Sequence, residues 1–150
     1  MRDIIDIFVA LGEEVRGFGH DSFTSAIVDS AIEQNPWFTR PDIERAVEAI
    51  RTDMLQRESL TKWLSGYTRT ATPKRVAIIM AGNIPLVGFF DLLCVLCSGH
   101  EAYIKPSSKD RVLTQYIVDT LRDIEPNIPI YNYSPTERYD MVIATGGDEA

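Results

Sequence analysis

Three short stretches of this chain carry side chains and backbone able to do chemistry. In Gly82-Asn83-Ile84-Pro85 the Asn83 amide can donate to a developing oxyanion, although an asparagine between glycine and proline is more often a turn residue. Lys105-Pro106-Ser107-Ser108 offers one cation and two hydroxyls where a helix is expected to begin, a suitable place for a sugar or a phosphate. The alternative is a solvated lysine ahead of a helix cap. In Thr145-Gly146-Gly147 the glycines either let the backbone approach a ligand closely or simply form a surface turn. A fourth set, Cys94 and Cys97 with His100, offers a redox pair or metal ligands. Three soft ligands in one short segment do not complete a tetrahedral zinc site. Their neighbours Phe89, Phe90, Leu92, Leu93, Val95 and Leu96 predict a buried helix in which both thiols act as small hydrophobes.

The elements that must position these residues fall into two parts. Residues 1–67 read as a helical segment. Ile4, Phe8, Leu11 and Val15 form one apolar stripe, and Gly17 and Gly19 end it. Phe23, Ile27 and Ala31 mark a second helix, stopped by Asn35-Pro36. Thr39 is a fitting N-cap for a third, with Asp42 three residues on and Pro41 in the first turn. Its buried face is Ile43, Val47, Ile50 and Met54. Ser59 is placed to cap a short fourth helix with Leu60, Trp63, Leu64 and Tyr67.

Thr68 to Lys74 reads as a connection, and residues 75–150 as a partial α/β domain packed with the helices into one unit. Val76 to Met80 is an unbroken apolar run, as in a strand buried on both faces of a parallel sheet. Ala102 to Lys105, Ile128 to Tyr131 and Met141 to Ala144 are further strands. Ser108 is placed to cap the helix whose stripe is Val112, Leu113, Tyr116, Ile117, Thr120, Leu121 and Ile124. Alternating strands and helices predict an open, mostly parallel, Rossmann-like sheet with right-handed crossovers. The sheet is expected to be truncated, since a helix should follow the last strand.

Composition narrows the function classes. The chain has 150 residues, 45% hydrophobic and 25% charged, which suits one globular domain. A net charge of −7 argues against a general nucleic-acid binder and leaves room for one local basic pocket. Asp3 and Asp6 interrupt the opening apolar run, so no signal peptide is read there, and the stretch Val87 to Cys97 is too short to span a bilayer. A cytoplasmic location is expected. Neither the Gly-x-Gly-x-x-Gly fingerprint nor a P-loop occurs.

The order of the motifs says more than any one of them. The succession Val76 to Gly82, Asn83-Ile84-Pro85, an apolar helix, Ser98-Gly99-His100, Tyr103 to Ser107, a second helix and Val142 to Gly146 is similar to the cofactor-binding half of aldehyde dehydrogenases. Ile79 to Gly88, with Asn35-Pro36-Trp37-Phe38-Thr39 upstream, resembles the acyl-CoA reductase branch of that superfamily, the LuxC type.

That resemblance implies an NADPH-dependent reduction of long-chain acyl-CoA to fatty aldehyde through a cysteine thioester. It implies that Asn83 is the oxyanion donor and that Lys105 contacts the adenosine ribose. Ser107 and Ser108 lie beside it, Ser108 standing where NAD-preferring relatives carry a glutamate, so NADP is favoured. Thr145, Gly146 and Gly147 would begin the pyrophosphate turn, Gly147 in place of the usual serine. The superfamily's nucleophilic cysteine has no counterpart here, since Cys94 and Cys97 do not match it, and the chain alone is expected to be inactive. Acyl-CoA as substrate and a homo-oligomeric state are further expectations. The rival readings are a non-catalytic α/β module that binds a nucleotide or a partner, and a fragment of an oxidising aldehyde dehydrogenase.

Overall fold

A computed structural model of the chain describes residues 1–145. Helix α1 (Ile4–Glu14) starts behind Asp3, whose side chain accepts from the Ile5 N–H, and it buries Ile4, Ile7, Phe8 and Leu11. Gly17, at φ 71, takes the reversal that follows, a left-handed conformation that favours glycine. Helix α2 (Ser22–Gln34) buries Ala31 and partly buries Ile27 of the stripe its apolar spacing predicts, but not Phe23. Thr24, Val28 and Ala31 are buried, while Phe23 is 69% exposed. Thr24 can go inside because its hydroxyl is satisfied there, accepting from the Gly19 N–H at 2.8 Å and donating to the Asp21 carboxylate at 2.8 Å.

Helix α3 (Arg40–Met54) has the predicted cap, Thr39 accepting from the Asp42 N–H, and buries Ile43, Val47 and Ile50. Helix α4 (Arg57–Leu64) begins ahead of Ser59, with Gln56 at the N-cap position and no side-chain cap. Arg57, the first residue of the helix, forms an exposed ion pair with Asp6 of α1 at 2.9 Å.

The α/β part follows the predicted alternation. Strand β1 (Arg75–Ile79) leads to α5 (Phe89–Cys97), β2 (Glu101–Lys105), α6 (Arg111–Ile124), β3 (Ile130–Asn132) and β4 (Met141–Ala144). The strands pair in parallel in the order β3-β2-β1-β4. The third strand starts two residues later than predicted, because the Ile128 N–H bonds back to Glu125 in a turn and Pro129 has no N–H to give. Ser108 does not cap α6. The N-cap position belongs to Asp110, which makes no capping bond with its own helix.

The crossovers β1-α5-β2 and β2-α6-β3 step the same way along the sheet, and right-handedness then puts α5 and α6 on one face. Helix α1 packs on both, and Val76, Ile78, Ala102 and Ile104 are buried on that side. The opposite face carries Tyr103, its ring tilted against those of Tyr131 and Tyr139 at centroid distances of 5.0 and 5.2 Å, with the Arg75 guanidinium 4.7 Å above the Tyr103 ring. The last strand reads as interior in a complete domain. Among the described residues β4 is an edge strand, with Met141 and Val142 55% and 60% exposed. No helix among the described residues is long and apolar enough to cross a membrane.

Candidate functional site

Parallel pairing brings the ends of three strands to one edge. Ile79, the last residue of β1, is in register with Lys105 at the end of β2 and with Ala144 at the end of β4. The Met80 N–H donates to the Lys105 carbonyl at 3.0 Å, and the Thr145 N–H to the Ile79 carbonyl at 3.2 Å. The chain therefore leaves all three strands along the same carboxyl edge. The direction of travel across the sheet reverses at β1, and the crevice outside such a switch point is where open α/β sheets bind ligands. Asn83, Lys105, Ser107, Ser108 and Thr145 all lie on this edge; Gly146 and Gly147 lie outside the described residues.

The loop after β1 is fastened to the loop after β2 at two points. A Cβ on Gly82 would lie 2.6 Å from the Ser107 Cβ and 3.0 Å from that of Lys109, so only glycine lets the two loops come together there. Four residues on, the Leu86 N–H donates to Asp110 Oδ2 at 2.7 Å. Between these points Asn83 and Ile84 stand exposed, which leaves the Asn83 amide accessible to a ligand. Ser107 is partly engaged in building this junction: its Oγ accepts from the Lys109 N–H at 3.2 Å.

The turn after β2 has an uneven charge distribution. Lys105, Ser108 and Lys109 are exposed, and the Lys105 ammonium lies 5.8 Å from the centroid of the Tyr133 ring. The acid of this segment points the other way. Asp110 is only 3% exposed; burial pushes its carboxyl up to about 7, outweighing the bond from Leu86. A ligand at this turn meets two ammonium groups and a free hydroxyl, with the carboxylate withdrawn. The sequence analysis missed Asp110 because a short acidic side chain just ahead of an amphipathic stripe looks like an ordinary helix cap. Thr145 is half-buried, and its Oγ1 has no hydrogen-bond partner among the described residues.

The cysteines are elsewhere. Helix α5 starts at the carboxyl edge and runs back towards the other end of the sheet, carrying Cys94 and Cys97 away from the three loops. Cys97 is buried as expected, and burial pushes its thiol up to about 12. Cys94 is half-buried rather than core, and burial and then the nearby Asp91 raise its thiol. A raised thiol is a poor nucleophile at neutral pH. His100 Nδ1 accepts from the Lys74 N–H at 3.0 Å, and no cluster of three or more His, Cys, Asp or Glu among the described residues suits a metal ion.

The profile of the LuxC acyl-CoA reductase family matches residues 21–134, well over half of the chain. The chain belongs to this family. The matched span contains Asn83 and the turn from Lys105 to Asp110. Relatives of this LuxC-family chain include the long-chain acyl-protein thioester reductase of Aliivibrio fischeri, 33% identical over 97 residues, which is 53% of this chain and 20% of that protein. The long-chain acyl-protein thioester reductase of Photorhabdus laumondii subsp. laumondii is 26% identical over 123 residues, 69% of this chain and 25% of that protein. The long-chain acyl-protein thioester reductase 2 of Photobacterium leiognathi is 25% identical over 122 residues, 69% of this chain and 26% of that protein. The LuxC-family chain thus spans about a fifth to a quarter of the length of these relatives. The parallel sheet is consistent with the aldehyde dehydrogenase superfamily to which the sequence resemblance points.

Proposed function

We propose that this chain forms part of the NADPH site of a reductase that converts a long-chain acyl thioester to a fatty aldehyde. One observation carries the choice of NADPH: the turn after β2 exposes Lys105, Ser108 and Lys109, while its acid, Asp110, is buried and bonded to Leu86. A carboxylate there would repel a 2′-phosphate, and like-charge juxtaposition costs several kcal/mol. Two ammonium groups and a hydroxyl favour it. These residues fit the adenosine end of the phosphorylated cofactor.

In this reading Lys105 holds the adenosine ribose, and Ser108 and Lys109 the 2′-phosphate. Ser107 shapes the turn through its contact with Gly82. Thr145, with Gly146 and Gly147 beyond it, lies on the β4 side of the switch point, where a pyrophosphate belongs. The cofactor supplies hydride. Asn83 donates its amide N–H to the thioester oxygen as charge develops on it. The acyl group is carried by coenzyme A or by a protein, and the thioester carbonyl is common to both. The thiolate that accepts the acyl group is neither Cys94 nor Cys97, so this chain contributes binding and one oxyanion donor.

Titration of the chain with 2′,5′-ADP and with 5′-AMP tests the assignment, since the two differ in the 2′-phosphate. The expected result is tighter binding of 2′,5′-ADP, with the preference lost in Ser108→Glu. Equal affinity of the unmodified chain for both nucleotides would remove the case for NADPH.

A further inference from the structure

We infer that Asp110 is a positioning residue that clamps the β1–α5 loop to the start of α6 and thereby sets where Asn83 presents its amide. The inference rests on the reading of Asn83 as the oxyanion donor. An aspartate at the N-cap position ordinarily accepts a hydrogen bond from an N–H of its own helix. Asp110 makes no such bond. Its Oδ2 accepts instead from the Leu86 N–H at 2.7 Å, across 24 residues of sequence, and its Oδ1 is buried with no partner among the described residues. A local hydrogen bond has been given up for a tertiary one, in a side chain only 3% exposed.

The residue at the other end of this bond is unusual. Leu86, at φ 58, is the one non-glycine residue with positive φ among the described residues, and its side chain is buried. Backbone in that region persists where the surroundings over-determine it. Asp110 supplies the polar part of that hold and the buried Leu86 side chain the apolar part. The contact between Gly82 and Ser107 fixes the loop at its other end. Asn83, Ile84 and Pro85 are therefore a three-residue bridge between two anchors, both on the segment that follows β2. Asn83 is exposed and its side chain makes no hydrogen bond to another described residue, so among the described residues its placement depends on those anchors. Through them the turn assigned to the adenosine end and the amide assigned to the reacting carbonyl are mechanically joined.

Amide hydrogen exchange on the whole chain, resolved for the Gly82–Gly88 loop, tests this in the unmodified chain, Asp110→Ala and Asp110→Asn. Loss of the acceptor is expected to speed exchange at Leu86 and its neighbours by about tenfold, with α1 and α3 unchanged. Asparagine keeps an acceptor oxygen without its charge, so it should restore only part of the protection and leave a smaller, severalfold rise confined to the loop. Exchange of the loop that is the same in Asp110→Ala as in the unmodified chain would overturn the clamp. If the alanine variant does not fold, the asparagine variant decides. A severalfold rise confined to the loop supports a carboxylate acceptor, and an unchanged Leu86 rate rejects it. The measurement needs no nucleotide, so a chain that fails to discriminate 2′,5′-ADP from 5′-AMP leaves this result standing on its own.

Discussion

Gly82 and Ser107 come so close that a Cβ on the glycine would lie 2.6 Å from the Cβ of the serine. Gly82→Ala must therefore push the β1–α5 loop off the turn after β2. Overpacking of this kind costs about 1–3 kcal/mol, read as a lower midpoint in urea denaturation. Removing the opposing side chain should recover part of the loss, so Gly82→Ala combined with Ser107→Gly is expected to be more stable than Gly82→Ala alone. If the double variant is no better, the strain lies elsewhere.

Asp110 gives the fold a pH dependence of unusual sign. Its carboxyl titrates at about 7 in the folded chain and near 3.9 when unfolded. Between those values the folded state binds more protons, so this group's contribution to stability falls as pH rises from about 4 to about 7 and is level above. Glu13, Asp21, Asp42, Glu48 and Glu125 are held below their usual range and pull the other way, losing stability as pH falls. The difference between the unmodified chain and Asp110→Asn isolates the term. Asp110→Asn should gain on the unmodified chain steadily across pH 4 to 7, by an amount on the order of 4 kcal/mol at most. Parallel stability curves for the two proteins would show that Asp110 ionises normally.

Both cysteines should behave as packing residues. Labelling with a thiol reagent at pH 7.5 is expected to be slow for Cys97 and faster, though still retarded, for the half-buried Cys94, with full reaction of both on denaturation. The chain should not consume NADPH when given a long-chain acyl-CoA. Turnover that disappears in Cys94→Ser or Cys97→Ser would overturn both statements.

Among the described residues, strand β4 presents Met141 and Val142 to solvent at the edge of the sheet. An apolar edge strand is a template for pairing with another chain. Sedimentation at several concentrations is expected to show reversible self-association, weakened by Val142→Lys. A concentration-independent monomer would show that the edge is blunted in some other way.

Much of this was legible from residue type and spacing. The run Val76 to Met80 and the stripe Val112 to Ile124 announce a buried parallel strand and an amphipathic helix, because burial on two faces and on one face leave different periodicities. The meeting of Asn83, Lys105 and Thr145 on one edge follows once the sheet is parallel. Helix starts were less legible. Ser59 and Ser108 look like caps, but α4 starts two residues ahead of Ser59 and the N-cap position of α6 falls to Asp110, whose side chain bonds to Leu86. Phe23 was misplaced for a related reason: Thr24 found buried partners on Gly19 and Asp21 that a hydrophobicity pattern does not register. Hydrogen bonds that satisfy a polar group, tertiary at Asp110 and within five residues at Thr24, leave no mark on hydrophobic periodicity.

The order β3-β2-β1-β4 also bears on how the chain assembles. The central strand acquires its two neighbours at very different distances along the polypeptide. The β1 and β2 ends are linked across 26 residues, from Lys74 to His100, whereas the link from Arg75 to Asp140 spans 65. Closing the longer loop costs more entropy before any contact rewards it. During synthesis and refolding, β1 will therefore spend an interval paired on one side only, with its remaining backbone donors and acceptors unclaimed. That interval is the window in which a second unfinished copy competes with β4 for the same edge.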